Sequence, residues 1–256
     1  AGALALGTLD VASLDASSHG ALGLGQGTIA GNLAANSNGG AIGQSGVLSV
    51  AGTSTIDAGT GDITLTNSGN GFGGAVSLRG DAVAISDRDT LTLGAVDATS
   101  LHATAATIVL RQGIATSGDQ TYDGSVALGD SVALASGGDI AFGAGVSGAH
   151  ALSLDVDGHV GFGGAVAVGA LSVDAGSASL ASTLDVTGNL SLVVQAGDIV
   201  QVGAFRVGGT TDIDAGTGAV VLTHAGNDFG GAVGLTGASL SIHDRNDLVL
   251  SHLRPA

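Results

Sequence analysis

Short segments in which apolar residues alternate with polar or small ones recur along the chain. Each has apolar residues at positions i and i+2, the spacing of a β-strand that buries one face. The segments contain Ile63/Leu65, Val76/Leu78, Val83/Ile85, Leu91/Leu93, Ile108/Leu110, Val126/Leu128, Val132/Leu134, Leu152/Leu154, Leu190/Leu192, Leu240/Ile242 and Leu248/Leu250. Between them stand Gly-Asp, Gly-Asn, Asp-Gly and Gly-Gly pairs, which favour turns. The pattern predicts strands of about three to five residues, one roughly every 6 to 10 residues, and no amphipathic helix.

A long internal repeat distinguishes between the two all-β architectures that fit this rhythm. Residues 31–93 align without a gap with residues 188–250, at an offset of 157, and 32 of the 63 positions are identical. An antiparallel sandwich or barrel needs longer strands and hairpin loops. A parallel β-helix tolerates duplication of whole coils. We therefore predict a right-handed parallel β-helix (β-solenoid) of roughly 12–13 coils of about 20 residues, with residues 1–256 as one segment of a longer array.

The composition agrees with an all-β fold and removes other classes. All 22 acidic residues are Asp and all six basic residues are Arg, so the helix-forming residues Glu and Lys are absent. Glycine contributes 47 residues, but its irregular spacing and the single proline exclude collagen. The mean hydropathy of +0.48 is too high for a disordered chain. No apolar run reaches the roughly 18 residues of a membrane-spanning helix.

The charge balance indicates which partners to expect. The formal net charge is −16, and six scattered Arg cannot form the basic stripe that nucleic acid binding requires. An acidic surface favours solubility and divalent cations.

The chain has no Cys, which excludes disulfides and thiolate metal sites but permits an oxidising compartment. Because it begins without Met or a signal peptide, we expect a fragment or processed form whose targeting signal lies elsewhere.

Two types of sequence motif carry a family resemblance. The first type comprises IGQSG (42–46), DAGTGDITLTN (57–67), GNGFGGAV (69–76) and LTLGAV (91–96). The second type comprises QTYDGSV (120–126) and GDIAF (138–142). Together they resemble the β-strand repeats of filamentous haemagglutinin-like, two-partner-secreted bacterial surface adhesins. The resemblance covers most of the chain from about residue 31 onward, while residues 1–30 match in composition alone.

The resemblance implies a fold, a location and partners. Proteins of this group are exported unfolded through an outer-membrane transporter and fold into β-helical shafts on the cell surface. The N-terminal secretion domain of the group is not recognisable in this chain. The resemblance transfers no catalytic residues and does not identify a receptor.

Arg79-Gly80-Asp81 is the tripeptide that integrins recognise, and it is the candidate receptor-binding site of the chain. In an exposed turn, its guanidinium and carboxylate could bind a host receptor. The alternative is a structural turn that contains the tripeptide by coincidence. The second repeat copy has Thr236, Gly237 and Ala238 at these positions, so the repeat does not depend on the motif.

Closely spaced Asp residues are candidate calcium ligands because carboxylates at i and i+2 project from one side of a strand. The candidates are Asp87, Asp89, Asp155 and Asp157, and similar pairs occur at Asp212/Asp214 and Asp244/Asp247. The alternative is that these Asp residues are solvated turn residues, balanced in places by neighbouring Arg.

We expect no cofactor other than calcium. Residues 69–74 fit G-x-G-x-x-G, but a strand rather than a helix follows, which argues against dinucleotide binding.

We predict a structural shaft segment of a secreted bacterial fibre that mediates attachment or matrix assembly. The alternative is a receptor- or glycan-binding module, through the Arg79-Gly80-Asp81 turn or a calcium-dependent face. A polysaccharide-cleaving β-helix is disfavoured because the seven His are scattered and no Lys is present. The expected partners are other copies or neighbouring repeats, stacked end to end through unpaired coil edges, the transporter during export, and a host receptor or glycan.

Overall fold

The computed structural model describes residues 2–180 and 182–255. These residues contain no helix; they form a β-solenoid of stacked parallel strands with about 13 turns of roughly 20 residues. The predicted fold class is therefore confirmed, while the hand of the coil stays a prediction. The chain divides into two compact units, Ala1–Ser125 and Val126–Ala256.

The first unit contains fourteen complete strands among its described residues. They are β1 (Leu4–Ala5), β2 (Thr8–Val11), β3 (Leu14–Ser17), β4 (Leu22–Gly23), β5 (Gln26–Ile29), β6 (Leu33–Asn36), β7 (Ile42–Gly43), β8 (Leu48–Val50), β9 (Ser54–Asp57), β10 (Ile63–Leu65), β11 (Gly71–Phe72), β12 (Val76–Ser86), β13 (Thr90–Leu110) and β14 (Ile114–Thr116). The next strand, β15 (Gln120–Leu128), includes the last residues of this unit and the first of the next.

The second unit contains a further fourteen strands among its described residues. They are β16 (Val132–Ser136), β17 (Ile140–Phe142), β18 (Val146–Phe162), β19 (Val166–Leu180), β20 (Leu184–Val186), β21 (Leu190–Val194), β22 (Ile199–Val200), β23 (Phe205–Val207), β24 (Thr211–Asp214), β25 (Ala219–Leu222), β26 (Asp228–Phe229), β27 (Val233–Gly237), β28 (Ser239–Ile242) and β29 (Leu250–Pro255).

In the first unit, strands from successive coils pair in parallel and form three columns. One column runs from β1 through β4, β7 and β10 to β12, and it stacks Leu22, Ile42, Ile63 and Val83 in register. A second column contains β2, β5, β8 and β11, and a third runs from β3 through β6 and β9 to β12. Each column places the inward side chains of successive coils above one another, and these side chains form ladders that are mostly apolar.

The second unit repeats this arrangement with its own strands. One column joins β21, β24, β27 and β29, another joins β20, β23 and β26, and the third joins β22, β25 and β28. Earlier in the unit, Phe142 pairs with Phe162 in the next coil, and the two rings stack with centroids 5.1 Å apart.

The alternating pattern predicts the core correctly over most of the chain. Both members of nine of the eleven apolar pairs identified in the sequence are buried. In the remaining two pairs, Leu240, Ile242 and Leu248 are half-buried and Leu250 is 44% exposed. These four residues lie in the last coils that the structure describes.

Several strands are much longer than the predicted three to five residues. β13 has 21 residues, β18 has 17 and β19 has 15. The reason is that neighbouring coils continue to pair through their corners, as β18 and β19 do from Val146/Val166 to Phe162/Leu180. Asp157-Gly158, which the sequence predicts to be a turn, therefore lies within β18.

Candidate functional site

A pair of side-chain amides, one buried and one half-buried, links two coils of the first unit. Asn70 is fully buried, and its Nδ2 donates to Gln44 Oε1 at 2.9 Å while Gln44 Nε2 donates to Asn70 Oδ1 at 2.8 Å. Asn70 Oδ1 also accepts from the Leu48 amide at 2.9 Å, and Nδ2 also donates to the Leu65 carbonyl at 3.1 Å. This pair, the amide clamp, uses the full hydrogen-bonding capacity of the Asn70 side chain.

The second unit contains the same amide clamp at the repeat-equivalent positions. Gln201 Nε2 donates to Asn227 Oδ1 at 2.7 Å, and Asn227 Nδ2 returns a bond to Gln201 Oε1 at 2.9 Å. The Phe205 amide and the Leu222 carbonyl complete the set at 2.9 and 3.0 Å. The alternating apolar pattern does not predict either clamp. A signal is nevertheless present, since Gln and Asn are identical in the two copies at these positions.

A second inter-coil contact explains the Gly-Asp and Gly-Asn pairs. The Asp or Asn side chain accepts a hydrogen bond from a backbone amide 20 or 21 residues later, in the next coil, at 2.7–3.2 Å. The pairs are Asn32 with Thr53, Asp62 with Ala82, Asp139 with His159, Asn189 with Thr210, and Asp198 with Ala219. The sequence assigns these residues to turns alone, whereas the structure shows that they also connect coils.

Arg79-Gly80-Asp81 lies within β12 rather than in a projecting loop. Arg79 Nε lies 3.2 Å from Asp97 Oδ2, and its Nη1 lies 3.6 Å from Asp57 Oδ2, so carboxylates from both flanking strands face the guanidinium. Gly80 is buried, while Arg79 and Asp81 are exposed. The arrangement gives Arg79 a role in balancing charge between coils, and receptor binding by the tripeptide stays a prediction.

The first pair of calcium candidates is engaged with protein donors. Asp87 is 5% exposed, and its Oδ2 accepts from the Phe72 amide at 2.6 Å while its Oδ1 accepts from the Asp89 amide at 2.7 Å. Asp89 Oδ2 accepts from Arg88 Nε at 2.8 Å, and this contact with the carboxylate raises the pKa of the Arg88 guanidinium. The Asp87 carboxylate therefore accepts hydrogen bonds from backbone amides at a corner of the coil.

The second pair of calcium candidates lies on the outer face of β18. Asp155 and Asp157 are both exposed, and Asp155 stands beside Asp174 of β19 in register. Among residues 2–180 and 182–255, no three His, Cys, Asp or Glu side chains are grouped so that they could hold a metal ion. Calcium binding at these positions stays a prediction.

Two histidines have polar partners in the adjacent coil. His102 Nε2 lies 2.7 Å from Asp123 Oδ2, with both side chains about half exposed. His159 lies between two hydroxyls, with Nδ1 2.9 Å from Ser177 Oγ and Nε2 2.9 Å from Ser179 Oγ. No local pattern in the sequence indicates either contact, because the partners lie 18 to 21 residues apart.

A surface groove of about 380 Å³ in the second unit is lined in part by Asp185, Arg206 and Asp228. Arg206 Nη1 donates to Asp185 Oδ1 at 3.1 Å, and Arg245 Nη2 donates to Asp228 Oδ2 at 2.5 Å. Both carboxylates of the groove are thus paired with guanidinium groups. The sequence-based prediction that the chain is not an enzyme stays a prediction. Within the described residues, no helix has the length and apolar character needed to cross a lipid bilayer.

Comparison with known proteins finds one family. Residues 11–79 and 169–236 match the family described as Repeats of unknown function (DUF5649). One match lies in each unit, and each includes a complete amide clamp. No curated protein and no solved structure shows significant similarity to the chain. Since the two matched segments cover more than half of the residues, the chain belongs to the family of Repeats of unknown function (DUF5649).

Proposed function

We propose that the chain is a segment of the structural shaft of a secreted bacterial surface fibre, similar to filamentous haemagglutinin-like adhesins exported by two-partner secretion. The fibre would mediate attachment or matrix assembly. The observation that carries this proposal is the set of features that the two repeat copies share. Both copies keep the amide clamp that holds one coil on another, and they differ in surface side chains that a ligand would contact.

The shared features are contacts within and between coils. The four bonds of the Asn70 amide clamp all have counterparts in the second copy, and equivalent distances differ by 0.1 Å or less. Asn227 Nδ2 also lies 3.2 Å from the His243 carbonyl oxygen. A turn is also shared, because Asp57 Oδ1 accepts from the Gly59 amide and Asp214 Oδ1 from the Gly216 amide, both at 2.8 Å. A shaft that carries mechanical load along its backbone ladders needs such bonds to be preserved.

The surface differs between the copies. Arg79, which faces two carboxylates in the first copy, is replaced by Thr236 in the second. Asp185 and Arg206 pair in the second unit, while the equivalent residues in the first are Thr28 and Ser49. A binding module that used its two copies as two sites would keep the contacting side chains, so this difference favours a structural role.

The proposal is tested on intact cells of the organism that encodes the chain. An antibody against residues 31–93 should label unpermeabilised cells, and external protease should remove the label. Deletion of the outer-membrane transporter gene should abolish the label, because export through that transporter is part of the proposal. Labelling that appears only after permeabilisation would contradict a surface location.

Attachment assays separate a shaft from a receptor-binding module. Asp81→Ala removes the carboxylate of the tripeptide, and a shaft predicts unchanged attachment to host cells and unchanged surface labelling. Asp10→Ala, at another exposed Asp of the same unit, is the control. Loss of attachment in Asp81→Ala alone would instead support the receptor-binding alternative.

A further inference from the structure

A tight turn between β6 and β7 contains an exposed Asn-Gly pair. Asn38 has φ 50°, the one positive value for a non-glycine residue within 2–180 and 182–255, and Gly39 has φ 98°. The Gly40 amide donates to the Ser37 carbonyl at 3.3 Å across the turn. Positive φ at both central residues is typical of a type I′ turn, for which Asn-Gly is the preferred pair.

The atoms that react in asparagine deamidation are accessible in this turn. Asn38 and Gly39 are both exposed, and the Gly39 amide donates no hydrogen bond to any residue that the structure describes. Gly39 has no side chain to obstruct its own nitrogen. We propose that Asn38 is a site of spontaneous deamidation, driven by attack of the Gly39 backbone nitrogen on the Asn38 side chain.

The reaction needs only water and a proton acceptor from the solvent. The Gly39 amide loses its proton, its nitrogen bonds to Asn38 Cγ, and the bond from Cγ to Nδ2 breaks. Nδ2 leaves as ammonia, and a five-membered succinimide remains. Water then adds to one of the two imide carbonyls, which gives aspartate or isoaspartate at position 38. The net change is the gain of one water and the loss of one ammonia.

The chain contains a matched Asn-Gly pair that the fold protects. Asn70-Gly71 has the same two residues, but the Asn70 side chain is fully buried and held by the four bonds of the amide clamp. Gly71 lies in β11, paired with β8. Rotation of the Asn70 carboxamide toward its own backbone would break all four bonds, so the same chemistry is blocked at this position.

Deamidation would also remove a contact between coils. Asn38 Nδ2 donates to the Ser18 carbonyl at 2.6 Å and lies 3.4 Å from Ser17 Oγ, both in the preceding coil. After the reaction, a carboxylate oxygen replaces this donor and faces the Ser18 carbonyl, so two acceptors meet without a proton between them. Isoaspartate would in addition lengthen the backbone of the turn by one carbon. The modified protein should therefore open locally at this corner.

The test compares the two Asn-Gly pairs in one sample. The intact chain is incubated in mildly alkaline buffer made with isotopically labelled water, and conversion at each site is followed by peptide mass spectrometry. In the folded protein, position 38 should convert while position 70 does not. In urea, which removes the clamp, both positions should convert at similar rates. Equal rates in the folded protein, or an unconverted Asn38 when it does convert in urea, would overturn the proposal.

A variant tests the structural consequence separately. Asn38→Asp reproduces one product, and hydrogen exchange of the backbone near residues 17–20 and 37–40 should be faster than in the original chain. Asn38→Gln is the control, because Gln195 stands at the equivalent position of the second copy. This variant should abolish conversion at position 38. Exchange that is unchanged in Asn38→Asp would show that the contact to Ser18 does not hold the corner, and would refute this part of the proposal.

Discussion

Gln44 and Asn70 are 26 residues apart in the chain, and their side-chain amides exchange two hydrogen bonds of 2.8 and 2.9 Å. The fully buried Asn70 amide would be costly without partners, and the half-buried Gln44 amide lies against it. Because each satisfies the other, and the remaining capacity of Asn70 goes to the backbone, the pair fixes the register of one coil on another. The equivalent pair in the second unit, Gln201 and Asn227, permits a direct test of this role.

Asn227→Ala should destabilise the second unit strongly. The substitution leaves the Phe205 amide without its acceptor, and it removes one hydrogen bond to the Leu222 carbonyl and two to the Gln201 side chain. We expect a loss of roughly 3 kcal/mol in the free energy of unfolding. The control is Asn189→Ala, at an exposed Asn whose Oδ1 accepts one bond, from the Thr210 amide. It should cost about 1 kcal/mol. Urea unfolding of both variants measures the difference, and equal losses would contradict a special role for the clamp.

The Phe-Gly-Gly-Ala-Val motif marks a corner where backbones of adjacent coils nearly touch. A Cβ added at Gly231 would lie 2.4 Å from the Gly209 carbonyl oxygen and 2.9 Å from the Thr210 nitrogen. Gly231→Ala should therefore lower the free energy of unfolding by roughly 1–3 kcal/mol, since backbone must shift to admit the methyl group. Gly161→Ala is the control, because its Cβ would meet nothing closer than 3.8 Å. A Gly231→Ala protein with unchanged urea midpoint would show that the corner is looser than the structure indicates.

The fold could be predicted from the sequence because its determinants are local or repeated. Alternating apolar residues identify the inward positions of a strand without knowledge of its neighbours, and the 157-residue offset indicates stacked coils. The long strands could not be predicted in this way. Whether a corner such as Asp157-Gly158 continues the ladder depends on the coils above and below it, as the pairing of β18 with β19 shows.

The polar contacts between coils were harder to predict. Gln44 and Asn70 are 26 residues apart, and nothing in the sequence around either residue shows that they meet. The Gly-Asx pairs predict turns, but their side-chain oxygens accept from amides 20 or 21 residues away, so their role depends on the coil length at each position. The neighbours of Arg79 in the sequence indicate a receptor motif, whereas its contacts in the structure come from Asp57 and Asp97 in flanking strands.

Two buried hydroxyls at equivalent positions have no partner among the described residues. Ser54 is 1% exposed and Thr211 is 2% exposed, and each lies in an inward ladder between apolar residues. An unpaired buried hydroxyl costs free energy. Thr211→Val, which keeps the shape of the side chain, should therefore raise the free energy of unfolding by about 1 kcal/mol, and Ser54→Ala should also stabilise.

The control for Ser54→Ala is a second buried serine that does have a partner. Ser37 is fully buried and its hydroxyl donates to the Gly40 carbonyl. Ser37→Ala should lower the free energy of unfolding by about 1 kcal/mol, so the two Ser→Ala substitutions are expected to have opposite signs. The urea midpoints of both variants provide the measurement. Destabilisation in both would mean that Ser54 has a bond partner in solution.

Tyr122 is the single tyrosine of the chain, and it is fully buried with its hydroxyl donating to Gln120 Oε1 at 2.8 Å. Burial raises the pKa of the phenol well above its ordinary value of 10.0. Because the chain has no Lys and no Cys, and Arg stays charged, Tyr122 is the one side chain that titrates at alkaline pH. Sensitivity to alkali should therefore be attributable to this residue.

The expected sign follows from the two protonation states. Below the ordinary pKa of 10.0 the phenol is neutral in the folded and the unfolded chain, so its contribution is constant. Above that pH the unfolded chain loses the proton first, and stability should fall by about 1.4 kcal/mol per pH unit. Tyr122→Phe should cost about 1 kcal/mol at neutral pH through loss of the bond to Gln120, yet remove the alkaline decline. Urea midpoints at about pH 8 and about pH 11 measure both effects. An equal decline in the Phe variant would show that another process, such as repulsion among the Asp residues, limits stability in alkali.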